Sequence, residues 1–137
     1  MNTPSKLENL FTLSAYPPSE IPDAVLEECI RFRTAIYVAE GYMPEPEQSV
    51  GPDCFDPQSA HFCIRSKKDN QISAYCRMIY DAPYPLPMAE LHKEVRHAPD
   101  FHVEISRFSI RNHWRGRLKA VDMPPFFLLT QALLVHS

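Results

Sequence analysis

The sequence predicts a single α/β (α+β) domain. Three observations lead there: a helical stretch between two strand signals, a clear hairpin pattern in the middle, and a length of 137 residues that suits one core. Phe11, Leu13 and Ala15 alternate up to Pro17-Pro18, which reads as a strand ended by prolines. Ser19 followed by Glu20, Ile21 and Pro22 is a helix-start signal, and Asp23 adds an acid to the first turn. Val25, Leu26, Cys29, Phe32, Ile36 and Tyr37 then keep helical spacing up to Gly41. Alternation returns at Ala60, Phe62 and Ile64 and again at Ile72, Ala74, Cys76 and Met78, with Asp69-Asn70 as turn residues between them. Beyond Pro83, Pro85 and Pro87 we expect a short helix over Met88–His97, a strand over His102–Ile110 and an apolar helix over Phe126–Val135.

Composition excludes several classes. At 45% hydrophobic residues the chain is too apolar for a disordered tail, yet no run approaches the roughly 18 apolar residues of a membrane span. A formal charge of −3 argues against a dedicated nucleic-acid binder. Met1–Ser5 carries no basic segment followed by an apolar one, so no secretion signal is visible and the cytoplasm is the expected location. Fourteen prolines against three glycines predict stiff, extended connections. Cys29, Cys54, Cys63 and Cys76 form no C-x-x-C pair and have no His at a zinc-ligand offset, so free thiols are expected and no metal.

Charges fall in an uneven pattern. From Thr34 to Ile64 there is no Lys or Arg, while Glu40, Glu45, Glu47, Asp53 and Asp56 all fall inside. This is either a solvated acidic loop or a functional one. His61 follows Asp53-x-x-Asp56 closely, a grouping that suits a base or a metal site, although no third spacing supports a metal. In His102–Ile110, strict alternation sets Glu104 with Ser106 and Phe108, and Arg107 with Val103 and Ile105 on the opposite face. Buried, both charges need partners; on an edge strand they rest in water or in a structural ion pair. A bulge would re-aim Arg107. Arg33 shares a helix face with Tyr37, and Arg77 lies opposite in facing to Cys76. Between Ile105 and Val121 there are five cations, Arg107, Arg111, Arg115, Arg117 and Lys119, and no acid. With Gly116 among them, the segment suits phosphate or a solvated basic surface. No G-x-S-x-G is present, which disfavours a serine hydrolase.

In chain order, Arg33-x-x-Ile36-Tyr37, Asp53-x-x-Asp56, Cys76-Arg77-Met78-Ile79 and Glu104-x-x-Arg107-Phe108 resemble the acyl-homoserine lactone synthases and the related N-acyl amino acid synthases, both of the GNAT acyltransferase fold. Within these, Tyr37-Val38-Ala39-Glu40-Gly41-Tyr42, Asp53-x-Phe55-Asp56-x-x-Ser59-Ala60-His61-Phe62 and Glu104–Ser109 resemble the PEP-CTERM/exosortase system-associated acyltransferase group. The resemblance runs from about Leu26 to Arg117. It implies a mixed central sheet with flanking helices. Family members continue past the segment matching Phe126–His136, so the C-terminal strands are expected to be lacking here.

The resemblance also implies roles. Arg33, Asp53, Asp56, Arg77, Glu104 and Arg107 match the charged active-site set. Phe108, Ser109 and Ile110 of the strand, with Arg111, Arg115, Gly116 and Arg117 after it, match the donor-binding region. The donor is expected to be an acyl thioester on acyl carrier protein or coenzyme A, and the acceptor an amino acid or similar amine. Arg33 and Arg107 are expected to organise the carboxylates or to hold an acceptor carboxylate. Glu104 is the expected proton acceptor. One position departs: where the lactone synthases carry an acid two residues before the first Asp, this chain has Gly51. The rival reading is a non-catalytic relic that binds an acyl carrier or dimerises through a sheet edge left open.

Overall fold

The computed structural model describes residues 10–41, 53–80, 86–87 and 103–111. Strands β1 (Phe11–Tyr16), β2 (Ser59–Ser66), β3 (Ile72–Tyr80) and β4 (Val103–Ile110) form one sheet in the order β1-β2-β3-β4, and each pairs antiparallel with its neighbour. Helix α1 (Asp23–Ala39) lies between β1 and β2 in sequence. A 3-10 turn, Asp56–Gln58, leads directly into β2. The expected helices over Met88–His97 and Phe126–Val135 lie outside the described residues.

Period-two alternation gives the sheet two different faces. Phe62 and Ile64 of β2 join Ala74, Cys76 and Met78 of β3, Phe11 and Ile110 in one apolar cluster, with Val103 and Phe108 packed against it. On the other face Cys63 and Tyr75 meet Cys29 and Phe32 of α1. That second face changes character along the strands. Cys63 pairs with Tyr75, and two residues on, the buried pair is His61 with Arg77. Burial of β3 is therefore continuous from Ile72 to Ile79, covering charged and apolar residues alike. The guanidinium of Arg65 holds the Glu28 carboxylate with two bonds of 2.6 and 2.7 Å, which fixes α1 against β2.

The helix begins later than its start signal. Glu20 N–H bonds to the Pro17 carbonyl at 3.0 Å, and Ser19 adopts φ +69°, so Pro17–Glu20 is a turn that removes Ser19 from the capping position. Pro22 occupies the N-cap, in extended conformation and with no side-chain cap, and its carbonyl accepts the first helical bond from Leu26 at 2.9 Å. The hairpin stands as expected. Asn70 takes the left-handed conformation at φ +60°, and Asp69 Oδ1 accepts from Gln71 N–H at 3.0 Å. Cys29, Cys63 and Cys76 are free and buried, and Cys54 is free and exposed. Burial pushes the Cys76 thiol up to about 12, so it stays an inert apolar filler.

Candidate active site

Two carboxylates are built into one short turn. Asp53 Oδ1 accepts from the Phe55 N–H at 3.0 Å, and Asp56 Oδ2 accepts from the Asp53 N–H at 3.0 Å. The Asp56 carboxylate thus bonds the backbone of Asp53, and the Asp53 carboxylate that of Phe55, the residue before Asp56. Ser59 donates its hydroxyl to the Phe55 carbonyl at 2.6 Å, and Gln58 Nε2 donates to the Tyr80 carbonyl at 2.6 Å. Phe55 packs against Ile79 and Leu86. These anchors hold the turn over the charged end of the sheet.

Two buried arginines meet the carboxylates there. Arg33, on the inward face of α1, is fully buried and grips Asp56 at both oxygens, Nη1–Oδ1 at 3.0 Å and Nη2–Oδ2 at 2.9 Å. Arg77, on β3, reaches Asp53 Oδ1 at 2.7 Å and Oδ2 at 3.0 Å, and Asp56 Oδ1 at 2.8 Å. Its Nε donates to the Ser106 hydroxyl of β4 at 3.3 Å. Burial opposes the charged form of Asp56, but the Arg33 bonds outweigh it and hold the carboxyl down at about 2. Burial likewise opposes charge on Asp53, and Arg77 reverses it, so that Asp53 is held below the usual carboxylate range. Both are anions at neutral pH.

A neutral hydrogen-bond chain supports this cluster from below. His61 Nε2 lies 3.0 Å from the Asp56 carbonyl, an obligate acceptor, so Nε2 carries the proton and donates. Nδ1 must then accept, and it does so from the Tyr75 hydroxyl at 2.7 Å. The Tyr75 oxygen in turn accepts from Arg33 Nη1 at 3.2 Å. Burial keeps the His61 pKa below its ordinary value, in agreement with a neutral ring.

At the fourth strand the alternation fails. Tyr75 pairs with Ser109 but Arg77 pairs with Ser106, so one extra residue of β4 is accommodated opposite Cys76. Arg107 absorbs it with φ +58°. Consequently Arg107 does not share the face of Val103, as strict alternation requires. Its guanidinium turns to the charged side, 3.4 Å from Asp53 Oδ2 and 5.5 Å from the centre of the Tyr37 ring. Phe108 is shifted the other way and packs on the apolar cluster instead of sharing the Glu104 face. Ser109 donates its hydroxyl to the Arg107 carbonyl at 3.1 Å, bracing the bulge.

Of the residues singled out from sequence, Arg33, Asp53, Asp56, Arg77 and Arg107 come together in one network. Glu104 pairs with Ile79, two positions along β4 from Ser106 on the same face. Arg111 sits at the end of β4, where its Nε donates to the Ile72 carbonyl at 2.8 Å and its guanidinium lies over the Phe32 ring. Arg115, Gly116 and Arg117 lie outside the described residues. Tyr75 and Ser106 were not singled out as members of the site. The signal for Tyr75 was its spacing, two residues before Arg77 on one strand face. Among the described residues, no group of three or more His, Cys, Asp or Glu could hold a metal ion. Nor is any described helix long and apolar enough to cross a membrane.

Two solved structures share the architecture. ElaA of Escherichia coli matches with a TM-score of 0.58 at 18% identity, over 93% of this chain and 72% of that one. FeeM, an N-acyl amino acid synthase from uncultured soil microbes, matches with a TM-score of 0.58 at 16% identity, over 92% of this chain and 66% of that one. These likenesses are of fold, and they bear out the GNAT-like architecture. Among curated proteins, none matches the chain. The family model for N-acyl amino acid synthase FeeM matches residues 28–136, the stretch that holds the whole charged network. The chain belongs to the N-acyl amino acid synthase FeeM family, and with it to the acyltransferases.

Proposed function

We propose that the protein transfers a fatty acyl group from an acyl thioester, on acyl carrier protein or coenzyme A, to the amine of an amino acid or similar acceptor. The observation that carries this reading is the buried Arg33–Asp56–Arg77–Asp53 network set against a bulged strand, in a chain of an acyl-transferring family. The amine nitrogen attacks the thioester carbonyl. The tetrahedral intermediate collapses with loss of the C–S bond, forming the amide and expelling a thiolate, which takes up the proton that the nitrogen sheds. Backbone N–H groups of β4 supply the oxyanion stabilisation, a contribution typically of about 3 kcal/mol per donor. Glu104, directly or through water, accepts the proton that the attacking ammonium must shed. Arg33 and Arg77 act as positioning residues, since both are spent on the two aspartates and neither is exposed.

The donor phosphates are assigned to the basic segment Arg115–Arg117, with Phe108–Arg111 leading into it. Carrier proteins are acidic, and that segment suits them by charge. The reading implies a cytoplasmic location. The PEP-CTERM/exosortase association rests on motif likeness alone. The test is product detection by mass spectrometry, with acyl-carrier and coenzyme A thioesters offered against mixed amino acids. Wild-type protein should yield N-acyl amino acids, and Glu104→Gln should lower turnover by about 100-fold or more while donor binding persists. Full turnover in that variant removes Glu104 as the base. Donor binding without any product in the wild type favours a non-catalytic carrier binder.

A further inference from the structure

Two of the four cysteines share one apolar cluster. Cys29 of α1 and Cys63 of β2 are 0% and 1% exposed and lie together with Phe32, Ile72 and Tyr75. Their thiols are hydrogen-bonded to each other. Flanking residues fix the approach of the two elements. Glu28, beside Cys29, is gripped by Arg65, two residues after Cys63, through bonds of 2.6 and 2.7 Å. Cys76 packs in the cluster on the opposite face of the sheet, and Cys54 is exposed on the carboxylate turn. The Cys29–Cys63 pair takes no part in the charged network, yet it lies next to it. Arg33 follows Cys29 by one helical turn, and His61 precedes Cys63 by two strand residues on the same face.

We propose that Cys29 and Cys63 form a peroxide-sensitive dithiol that closes to a reversible disulfide, stapling α1 to β2. The first proton leaves more easily from Cys63, because the Cys29 S–H donates to the sulfur left behind. The same bond and burial push the Cys29 thiol up, so it keeps its proton until the second step. The Cys63 thiolate attacks one oxygen of hydrogen peroxide, the O–O bond breaks, and the expelled hydroxide takes up the proton that Cys63 gave. The Cys29 sulfur then attacks the Cys63 sulfenic acid, the S–O bond breaks, and the departing hydroxide takes the Cys29 proton. Two thiols lose two electrons in all, and one hydrogen peroxide becomes two waters. This oxidant is little larger than water and reaches the pair when the first turn of α1 opens. That turn has no side-chain cap, and its Val25 is only partly buried against the pair. The disulfide closes a loop that contains Arg33, Asp53 and Asp56, so it braces the network it adjoins. Nothing in the step depends on acyl transfer.

The experiment treats the folded full chain with hydrogen peroxide, alkylates the remaining thiols in denaturant and maps the peptides by mass spectrometry. A linked Cys29–Cys63 peptide should appear before Cys76 is modified, and dithiothreitol should reverse it. The Cys54→Ser chain should give the same link. The linked protein should unfold about 5 °C or more above the reduced one. In Cys29→Ser the Cys63 sulfenic acid has no neighbour to resolve it and should pass on to sulfinic acid. Where that variant does not fold, the wild-type map still decides. The proposal is overturned if Cys63 reaches sulfinic acid unlinked in the wild type, or if neither thiol reacts. A link that forms only in denaturant, or only when Cys54 is present, overturns it as well. A linked protein that unfolds earlier than the reduced one overturns the brace.

Discussion

The Tyr75 hydroxyl can serve Arg33 and His61 together only while the imidazole is neutral. Its oxygen receives an Arg33 hydrogen and its own hydrogen goes to His61 Nδ1. A protonated ring would point a second N–H at that oxygen, leave the hydroxyl hydrogen without its acceptor, and add a charge beside Arg33 and Arg77. Burial is the main reason the folded-state pKa lies below 6.5. The sign follows from proton counting: below its ordinary pKa the unfolded chain binds a proton at His61 that the folded chain refuses. Stability from this residue is present above about pH 6.5 and falls as the pH drops toward the depressed folded value. Urea unfolding of the wild type should thus weaken from pH 7.5 to 5.5. His61→Gln should be less stable at pH 7.5 yet show a shallower fall. Parallel pH profiles would mean that His61 does not titrate against the fold. Sequence pointed to His61 for its closeness to Asp53-x-x-Asp56, and read it as a base or ligand. Its structural task was hidden because Tyr75 is fourteen residues away and reaches it only through the β2–β3 pairing.

Strand β4 shows what alternation can and cannot convey. The β2–β3 hairpin was legible because its polar turn and its period-two pattern agree, and both are local. The bulge is not local: it exists because Cys76 on one strand faces an extra residue on the other, and no spacing within Val103–Ile110 reports that. Helix α1 was legible for the same reason as the hairpin, although the turn at Pro17–Glu20 moved its start to Asp23. The left-handed conformation at Arg107 costs an L-residue roughly 1–2 kcal/mol, whereas glycine adopts it freely. Arg107→Gly and Arg107→Ala both delete the guanidinium and differ chiefly in that strain. The glycine variant should be the more stable by about 0.5–1 kcal/mol, since its looser unfolded chain offsets part of the gain. Urea midpoints at equal slope read the difference directly. An alanine variant as stable as the glycine one would mean that the bulge relaxes when Arg107 is lost.

Across the molecule the network is what joins separate elements at the charged end of the sheet. Arg33 comes from α1, Asp53 and Asp56 from the turn before β2, Arg77 from β3, and Ser106 and Arg107 from β4. Sequence placed the charged residues in order, but a helical or strand arginine is normally exposed, so nothing local revealed that Arg33 and Arg77 are the largest fully buried side chains among the described residues. Such a network costs desolvation, and its value lies in being complete. Asp56→Asn keeps the shape and removes one charge, which leaves Arg33 and Arg77 buried with an unbalanced partner. That substitution should destabilise the fold by about 3–5 kcal/mol at pH 7. A substitution at the half-exposed end, Arg107→Gln, should cost under about 1 kcal/mol because solvent screens that pair. Acid provides an independent check. The Asp56 carboxyl is held at about 2 against an ordinary value near 3.8. The stability it lends is complete above about pH 4 and is lost as pH falls through the folded value, a difference of about 2 kcal/mol. Wild-type stability should therefore fall more steeply between pH 4 and 2 than that of Asp56→Asn, which has no proton to gain there. If the two acid limbs run parallel and the neutral-pH loss is under 1 kcal/mol, the turn is held by its backbone bonds and the arginines serve only the ligand.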